Sequence, residues 1–221
     1  MDERRRIQIS PLTVKRLSLY LRFLEDCSAR RQATVSSSQL ATNLGLTAAQ
    51  VRKDLAYFGQ FGRPGVGYDV AGLTARLRHI FGTDKPTNAA VVGIGGLGGA
   101  LLRYKGFLRR GFRLVAAFDS DPAKAGRRFN DVVIRPISEM QAAVRDMDIR
   151  LAVLAVPAEA AQEVANSICR AGIKGILNFT SVTLSVPEPV AVVPVDLAVQ
   201  MEQLSYLVNA SPGEPRPRRT R

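Results

Sequence analysis

Ala89-Ala90-Val91-Val92 runs directly into Gly93-Ile94-Gly95-Gly96-Leu97-Gly98, and a helix-forming stretch follows at once. Glycines in this spacing let a backbone come very close to something. Gly93 permits a tight turn from strand to helix, Gly95 has no Cβ to hold off a pyrophosphate, and Gly98 lets the helix pack closely on the strand. Phosphates would then sit at the positive N-terminus of that helix. Tight βα turns also use glycine for packing alone, so context has to decide. Here a second strand, 113–118, leads into Asp119, 21 residues beyond Gly98. A carboxylate at that distance is placed to hold ribose hydroxyls. The expected chemistry is recognition of a dinucleotide. Because Asp119 would repel a 2′-phosphate, NAD(H) is favoured over NADP(H). Lys124, Arg127 and Arg128 follow closely and either temper that preference or face solvent.

Catalysis would need more than this loop. A dehydrogenase requires a proton-transfer group near the nicotinamide. The single His, His79, lies well upstream, and Tyr104-Lys105 lacks the spacing of a Tyr-x-x-x-Lys pair. No cluster of metal ligands and no nucleophile with a partner base is present in the sequence. Neither a catalytic site nor a metal site is expected, and binding without turnover is the economical reading.

The elements around the loop give it a setting. Strands are predicted at 89–93, 113–118, 131–134, 150–155, 174–178 and 190–194, and helices at 96–109, 122–128, 138–146, 158–171 and 196–208. Such alternation with short loops argues for a mostly parallel α/β sheet covered on both faces. Asp121-Pro122 offers an N-cap followed by proline at the first helical position. Leu197, Met201, Leu204, Leu207 and Val208 make an apolar stripe on the last helix, packed on its own domain or on a partner subunit.

Residues 1–85 carry 14 Lys/Arg against 7 Asp/Glu, whereas residues 86–209 carry 13 against 11. Most of the net charge of +12 therefore sits on the N-terminal third and on the last twelve residues, a pattern of nucleic-acid-binding domains and of merely soluble basic surfaces alike. Residues 1–10 read as disordered, and 11–29 as an amphipathic helix started near Ser10-Pro11. Ser36-Ser37-Ser38 offers an N-cap for a short helix at 39–43, stopped by Gly45. Thr47-Ala48-Ala49-Gln50 reads as a capping box in which Gln50 reaches back to Thr47. The helix it opens, to about Phe58, completes a helix-turn-helix. Ala48, Val51, Leu55 and Phe58 share its inward face. Ala49, Gln50, Arg52 and Lys53 project elsewhere, near the end that enters a major groove. Residues 59–68 read as a hairpin wing with Arg63 placed for phosphate or the minor groove. A helix at 71–81 and a polar linker at 82–88 close this region.

No run approaches the roughly 18–20 apolar residues of a membrane span, and no signal peptide is read at the N-terminus. Cys27 and Cys169 are expected as reduced thiols, and the protein as cytoplasmic.

Together these strings resemble one family, the Rex redox-sensing transcriptional repressors of bacteria. The likeness spans about residues 10–208. It rests on Arg16-Leu17 with Tyr20, on Leu46 to Leu55, on Gly65-Val66-Gly67-Tyr68, and on the glycine loop with Leu102 to Tyr104 and Gly106-Phe107. It continues in Phe118-Asp119-x-Asp121-Pro122-x-Lys124-x-Gly126, Ala155-Val156-Pro157, Asn178-Phe179 and Val195-Asp196-Leu197. The resemblance implies a winged-helix DNA-binding domain over 1–84 and a Rossmann NAD(H)-binding domain over 85–195. A swapped dimerisation helix at 196–209 and a disordered basic tail at 210–221 complete the expected organisation. It implies a homodimer that binds double-stranded operator DNA and is released by NADH. Dinucleotide contact is expected from Gly93, Ile94, Gly95, Gly96, Leu97, Gly98, Asp119, Lys124, Val156, Pro157, Asn178 and Phe179. DNA contact is expected from Thr47, Ala49, Gln50, Arg52, Lys53, Phe58, Arg63 and Gly65. The implied switch re-pairs Asp196 between Arg16 and Tyr104. In the wing, Arg63-Pro64 stands where the family usually has a basic pair. The rival readings are an NAD-dependent oxidoreductase with a basic arm and a nucleotide- or CoA-binding module that does not touch DNA.

Overall fold

The computed structural model describes residues 9–63 and 65–210. The expected disorder of residues 1–8 and of the tail from 211, and the contact expected of the Arg63 side chain, lie outside what is described. The chain divides between Asp84 and Lys85 into two units.

In the first unit, α1 (Pro11–Ala29) starts where Ser10 Oγ accepts the Thr13 amide at 3.2 Å, so Ser10 belongs to a helix cap and not to a disordered arm. Helix α2 (Ser37–Leu44) begins two residues earlier than its sequence suggested, because Ser36 and Gln39 cap each other reciprocally. Helix α3 is Ala48–Ala56. The strands β1 (Thr34–Val35), β2 (Gly62–Arg63) and β3 (Gly67–Asp69) form an antiparallel sheet ordered β1-β3-β2, and α4 (Val70–Phe81) follows. Gly65, at φ +77°, turns the tip between β2 and β3. Leu17, Leu24, Leu40, Val51, Leu55 and Leu77 are fully buried between the helices. Each contributes on the order of 2 kcal/mol by leaving water.

The second unit is a seven-stranded sheet. Its strands are β4 (Thr87–Val92), β5 (Phe112–Asp119), β6 (Arg128–Phe129), β7 (Val132–Pro136), β8 (Ile149–Leu154), β9 (Gly175–Asn178) and β10 (Ala191–Pro194), ordered β10-β9-β8-β4-β5-β7-β6. All neighbours are parallel except β6 and β7. The order reverses around β4, which is the arrangement of a Rossmann sheet. Ala90, Val92, Ala116, Phe118, Ala152 and Leu154 form one face of the core with α7 (Met140–Asp146) and α8 (Ala158–Arg170). Val91, Ala117, Ile134 and Val153 form the other with Leu102 of α5 (Gly96–Arg103).

Three expectations need correction. The helix predicted over 96–109 breaks at Tyr104, whose backbone is extended (φ −75°, ψ 102°), and resumes as α6 (Gly106–Arg109). The Tyr104 ring sits edge-on to Phe107 at 5.3 Å in space that a Cβ on Gly106 would occupy. The helix predicted over 122–128 is a single turn, Pro122–Lys124. Gly126, at φ +78°, then sends the chain back along β7, donating its amide to the Ile134 carbonyl at 2.9 Å, and β6 forms there instead. The helix predicted over 138–146 is preceded by a separate turn, Ile137–Glu139, and begins at Met140.

The last helix, α9 (Leu197–Asn209), buries no residue in the single chain. Its Leu197, Met201, Leu204, Leu207 and Val208 are all exposed, so the apolar stripe lies on no part of its own domain.

Candidate functional site

The ends of three adjacent strands bring the cleft residues together. Val92 is paired with Phe118 on one side and with Leu154 on the other. The Gly93 amide donates to the Phe118 carbonyl and the Ala155 amide to the Val92 carbonyl, both at 2.8 Å. Gly93 has φ +90°, and a Cβ there would lie 2.6 Å from the Ala155 carbonyl oxygen. A Cβ on Gly98 would overlap the Gly93 carbonyl, whereas one on Gly95 or Gly96 would meet nothing. The loop is therefore closed on its protein side and open where a ligand would approach.

Asp119 stands beside that opening, 7% exposed. Its Oδ2 accepts the Ile94 amide at 2.7 Å and the Lys124 ammonium at 3.0 Å, and its Oδ1 accepts the Asp121 amide at 2.9 Å. Burial pushes the carboxyl up, but the Asp121 amide, the Lys124 side chain and the Ile94 amide outweigh it and hold Asp119 below the usual carboxylate range. It stays ionised, and Oδ1 retains capacity for a ribose hydroxyl. A cleft of about 280 Å³ is lined by Gly93, Ile94, Gly95, Asp119, Lys124, Val156 and Pro157 among others. Gly96, Leu97 and Gly98 form the first turn of α5. Asn178 and Phe179 lie at the end of β9, outside the lining of this cleft. The Asn178 side chain is spent on its own loop, accepting from the Thr180 amide and hydroxyl and donating to the Val182 carbonyl.

In the first unit, Thr47 Oγ1 accepts the Gln50 amide at 3.1 Å as expected, but Gln50 does not reach back. Its Nε2 donates to Asp54 Oδ1 at 2.8 Å instead. Arg52 Nη1 donates to Ser37 Oγ at 3.1 Å, so the guanidinium spans from α3 to α2. Ala49, Arg52 and Lys53 are exposed or partly so, and Phe58 packs against the core of the unit. Arg52, Ser36, Ser37, Gly65 and Val66 line a depression of about 550 Å³ between α3 and the wing. Sequence reasoning missed Asp54. It is 1% exposed and accepts four hydrogen bonds, two from Arg16, one from Tyr20 and one from Gln50. Burial pushes its carboxyl up, and the Arg16, Tyr20 and Gln50 donors more than reverse this, leaving it below the usual range. The available signal was its register, three residues after Val51 on the inward face.

Among the described residues no group of His, Cys, Asp or Glu could hold a metal ion, and no helix is long and apolar enough to cross a membrane. Cys27 and Cys169 are free thiols, and burial pushes both up.

Relatives settle what this pairing of units is. A redox-sensing transcriptional repressor Rex of Carboxydothermus hydrogenoformans is 45% identical over 199 residues, covering 90% of this chain and 96% of the relative. The chain belongs to the Rex family. Rex of Desulforamulus reducens is 42% identical over 90% of this chain and 95% of its own length. Rex proteins are transcriptional repressors, not enzymes, and this chain is a redox-sensing repressor of that kind. The solved structure of the Rex-family repressor RSP with β-NAD⁺ and operator DNA superposes with TM-score 0.86 at 35% identity, covering 91% of this chain and 93% of RSP. RSP with β-NADH gives 0.83 at 33% identity, covering 92% and 95%. Residues 8–56 match a family described as "Putative DNA-binding protein N-terminus", and residues 84–182 match the CoA binding domain family.

The three switch residues of the Rex reading sit in distinct settings. Arg16 is forked onto Asp54 at 2.6 and 2.7 Å. Tyr104 is 60% exposed at the break after α5. Asp196 caps α9, with Oδ1 accepting the Ala198 and Val199 amides at 2.9 and 3.1 Å. Its Oδ2 accepts nothing among the described residues.

Proposed function

We propose that this repressor acts in the cytoplasm as a two-fold dimer, holding operator DNA through α3 and the wing and releasing it when NADH fills the cleft at the end of β4. One observation carries the reading: an ionised Asp119, bonded to the glycine loop itself, stands at the topological switch point of the sheet. A carboxylate there accepts ribose hydroxyls and opposes a phosphate on the ribose, which selects NAD(H) over NADP(H) and over a phosphorylated nucleotide such as CoA. Solved complexes of RSP with β-NAD⁺ and operator DNA, and with β-NADH, support both ligands. NAD⁺ and NADH differ by one positive charge and by ring planarity at the nicotinamide. A phenol and a carboxylate, Tyr104 and Asp196, are groups able to sense that difference. The swapped α9 supplies the dimer contact and covers its own exposed stripe.

The test is selection from a random duplex library at near-physiological salt, first with NAD⁺ and then with NADH. A two-fold site retained with NAD⁺ and released by NADH is expected. Selective binding that ignores both dinucleotides contradicts the sensor, and absence of selection contradicts the repressor.

A further inference from the structure

Asp54 is a buried charge on a helix whose other inward residues are apolar, and DNA contact alone does not require it. Oδ2 accepts from Arg16 Nε at 2.6 Å and from the Tyr20 hydroxyl at 2.7 Å, while Oδ1 accepts from Arg16 Nη2 at 2.7 Å and from Gln50 Nε2 at 2.8 Å. A carboxylate offers about four lone-pair sites. All are taken. Three donors come from α1 and one from the first turn of α3, so the carboxylate is the point at which these two helices are tied.

The same cluster fixes Arg16. Nε and Nη2 are spent on Asp54, and Nη2 also donates to Thr13 Oγ1 at 3.0 Å. The Nη1 donors have no acceptor among the described residues, and the side chain is 23% exposed. A guanidinium held by two parallel charge-assisted bonds cannot turn without breaking both. Tyr20, fully buried, cannot follow a carboxylate that moves. Arg16 is thus a clamped cation with one edge left for a second carboxylate.

We propose that Asp54 is a positioning residue of the switch: it sets the plane of Arg16 so that Nη1 can be taken by a second carboxylate, and it transmits the resulting pull to the N-terminal turn of α3 through Gln50. The proposal rests on the sensor reading above and deepens it by naming the route into the DNA-binding helix. A pull on Arg16 reaches Asp54 directly because two bonds join them, and Gln50 is held by the same carboxylate four residues earlier on α3. The end of the helix expected in the major groove is therefore tied to the group that Arg16 grips.

The experiment compares full-length wild type, Asp54→Asn and Tyr20→Phe. Operator affinity is measured with saturating NAD⁺ and with saturating NADH, at a salt concentration low enough for both states to bind, and NADH affinity is measured without DNA. The expected result is a ratio of the two operator affinities at least tenfold smaller in Asp54→Asn and several-fold smaller in Tyr20→Phe, with NADH affinity unchanged within twofold. A merely structural Asp54 would weaken DNA binding equally in both states and leave the ratio intact, which overturns the proposal. Should Asp54→Asn fail to fold, Tyr20→Phe, which removes one donor of four, decides alone, and an unchanged ratio there overturns it equally. A wild type indifferent to NADH would overturn the sensor reading and this proposal together. A normal wild-type response carried intact into both variants overturns only the proposal.

Discussion

Asp119 and Lys124 form an ion pair beside the glycine loop, and the proposed preference for NAD(H) can be tested there. The Asp121 amide, the Lys124 ammonium 3.0 Å away and the Ile94 amide together outweigh burial and keep the carboxylate ionised. Asp119→Ser replaces the charged ribose acceptor by a shorter neutral hydroxyl and leaves Lys124 without its counter-charge, with Arg127 and Arg128 close in sequence. NADH affinity should fall about 10- to 100-fold, the worth of one hydrogen bond to a charged group. NADPH should lose its disadvantage, and titration calorimetry with both dinucleotides reads the two effects. A second prediction concerns acid. Asp54 and Asp119 are both held below the usual carboxylate range, so each stabilises its unit fully above the unfolded value of about 4, and that contribution is lost as pH falls further through the folded value. Asp54→Asn should be less stable than wild type at neutral pH and should lose stability less steeply below about pH 4, followed by circular dichroism on heating. Asp119 could be read from its distance to the glycine loop, because that spacing is set by one βαβ unit. Asp54 has no such fixed spacing: its register after Val51 points it inward, but between Lys53 and Leu55 it looks like a solvated charge, and its partners Arg16 and Tyr20 lie 38 and 34 residues away.

Helix α3 and the wing should separate cleanly from the cleft in their effects. Arg52→Ala removes a guanidinium that Ser37 holds across the α2–α3 gap, and should weaken operator binding by about 1–3 kcal/mol. Lys53→Ala should weaken binding to all sequences alike and lower the salt dependence by about one counterion. NADH affinity should be unchanged in both variants by fluorescence titration, and parallel loss of both activities would contradict the assignment of these roles to different units. At this scale the sequence was readable wherever caps and apolar periods agree, as at Ser10-Pro11, Gly45 and the β4 loop. It failed where a neighbouring turn or strand overrides the helical pattern. The helix breaks at Tyr104, whose backbone is extended, and its ring fills the space that a side chain at Gly106 would need. Residues 122–128 carry helix-forming Ala, Lys and Arg, yet Gly126 turns the chain and β7 captures its amide at 2.9 Å.

For the whole molecule, α9 is the element that a single chain does not complete. Leu197, Met201, Leu204, Tyr206, Leu207 and Val208 are each more than half exposed on it. Burying a leucine in an interface is worth about 1.5–3 kcal/mol, so Leu204→Asp with Leu207→Asp should weaken the dimer by more than a hundredfold in sedimentation equilibrium. Operator affinity should fall with it, because one winged helix contacts only one half-site. The apolar stripe was visible in the sequence, but its destination was not, since periodicity marks a buried face without naming what buries it.

If NADH in the cleft and operator on the DNA-binding unit share one equilibrium, each weakens the other, because such coupling is reciprocal. The most direct test measures operator affinity with and without saturating NADH, and NADH affinity with and without saturating operator, on the same dimer. NADH should weaken operator binding by a factor well above one, equal to the product of the factors by which operator weakens the two NADH binding steps. Operator affinity left unchanged by saturating NADH, with NADH affinity equally indifferent to operator, would contradict the coupling.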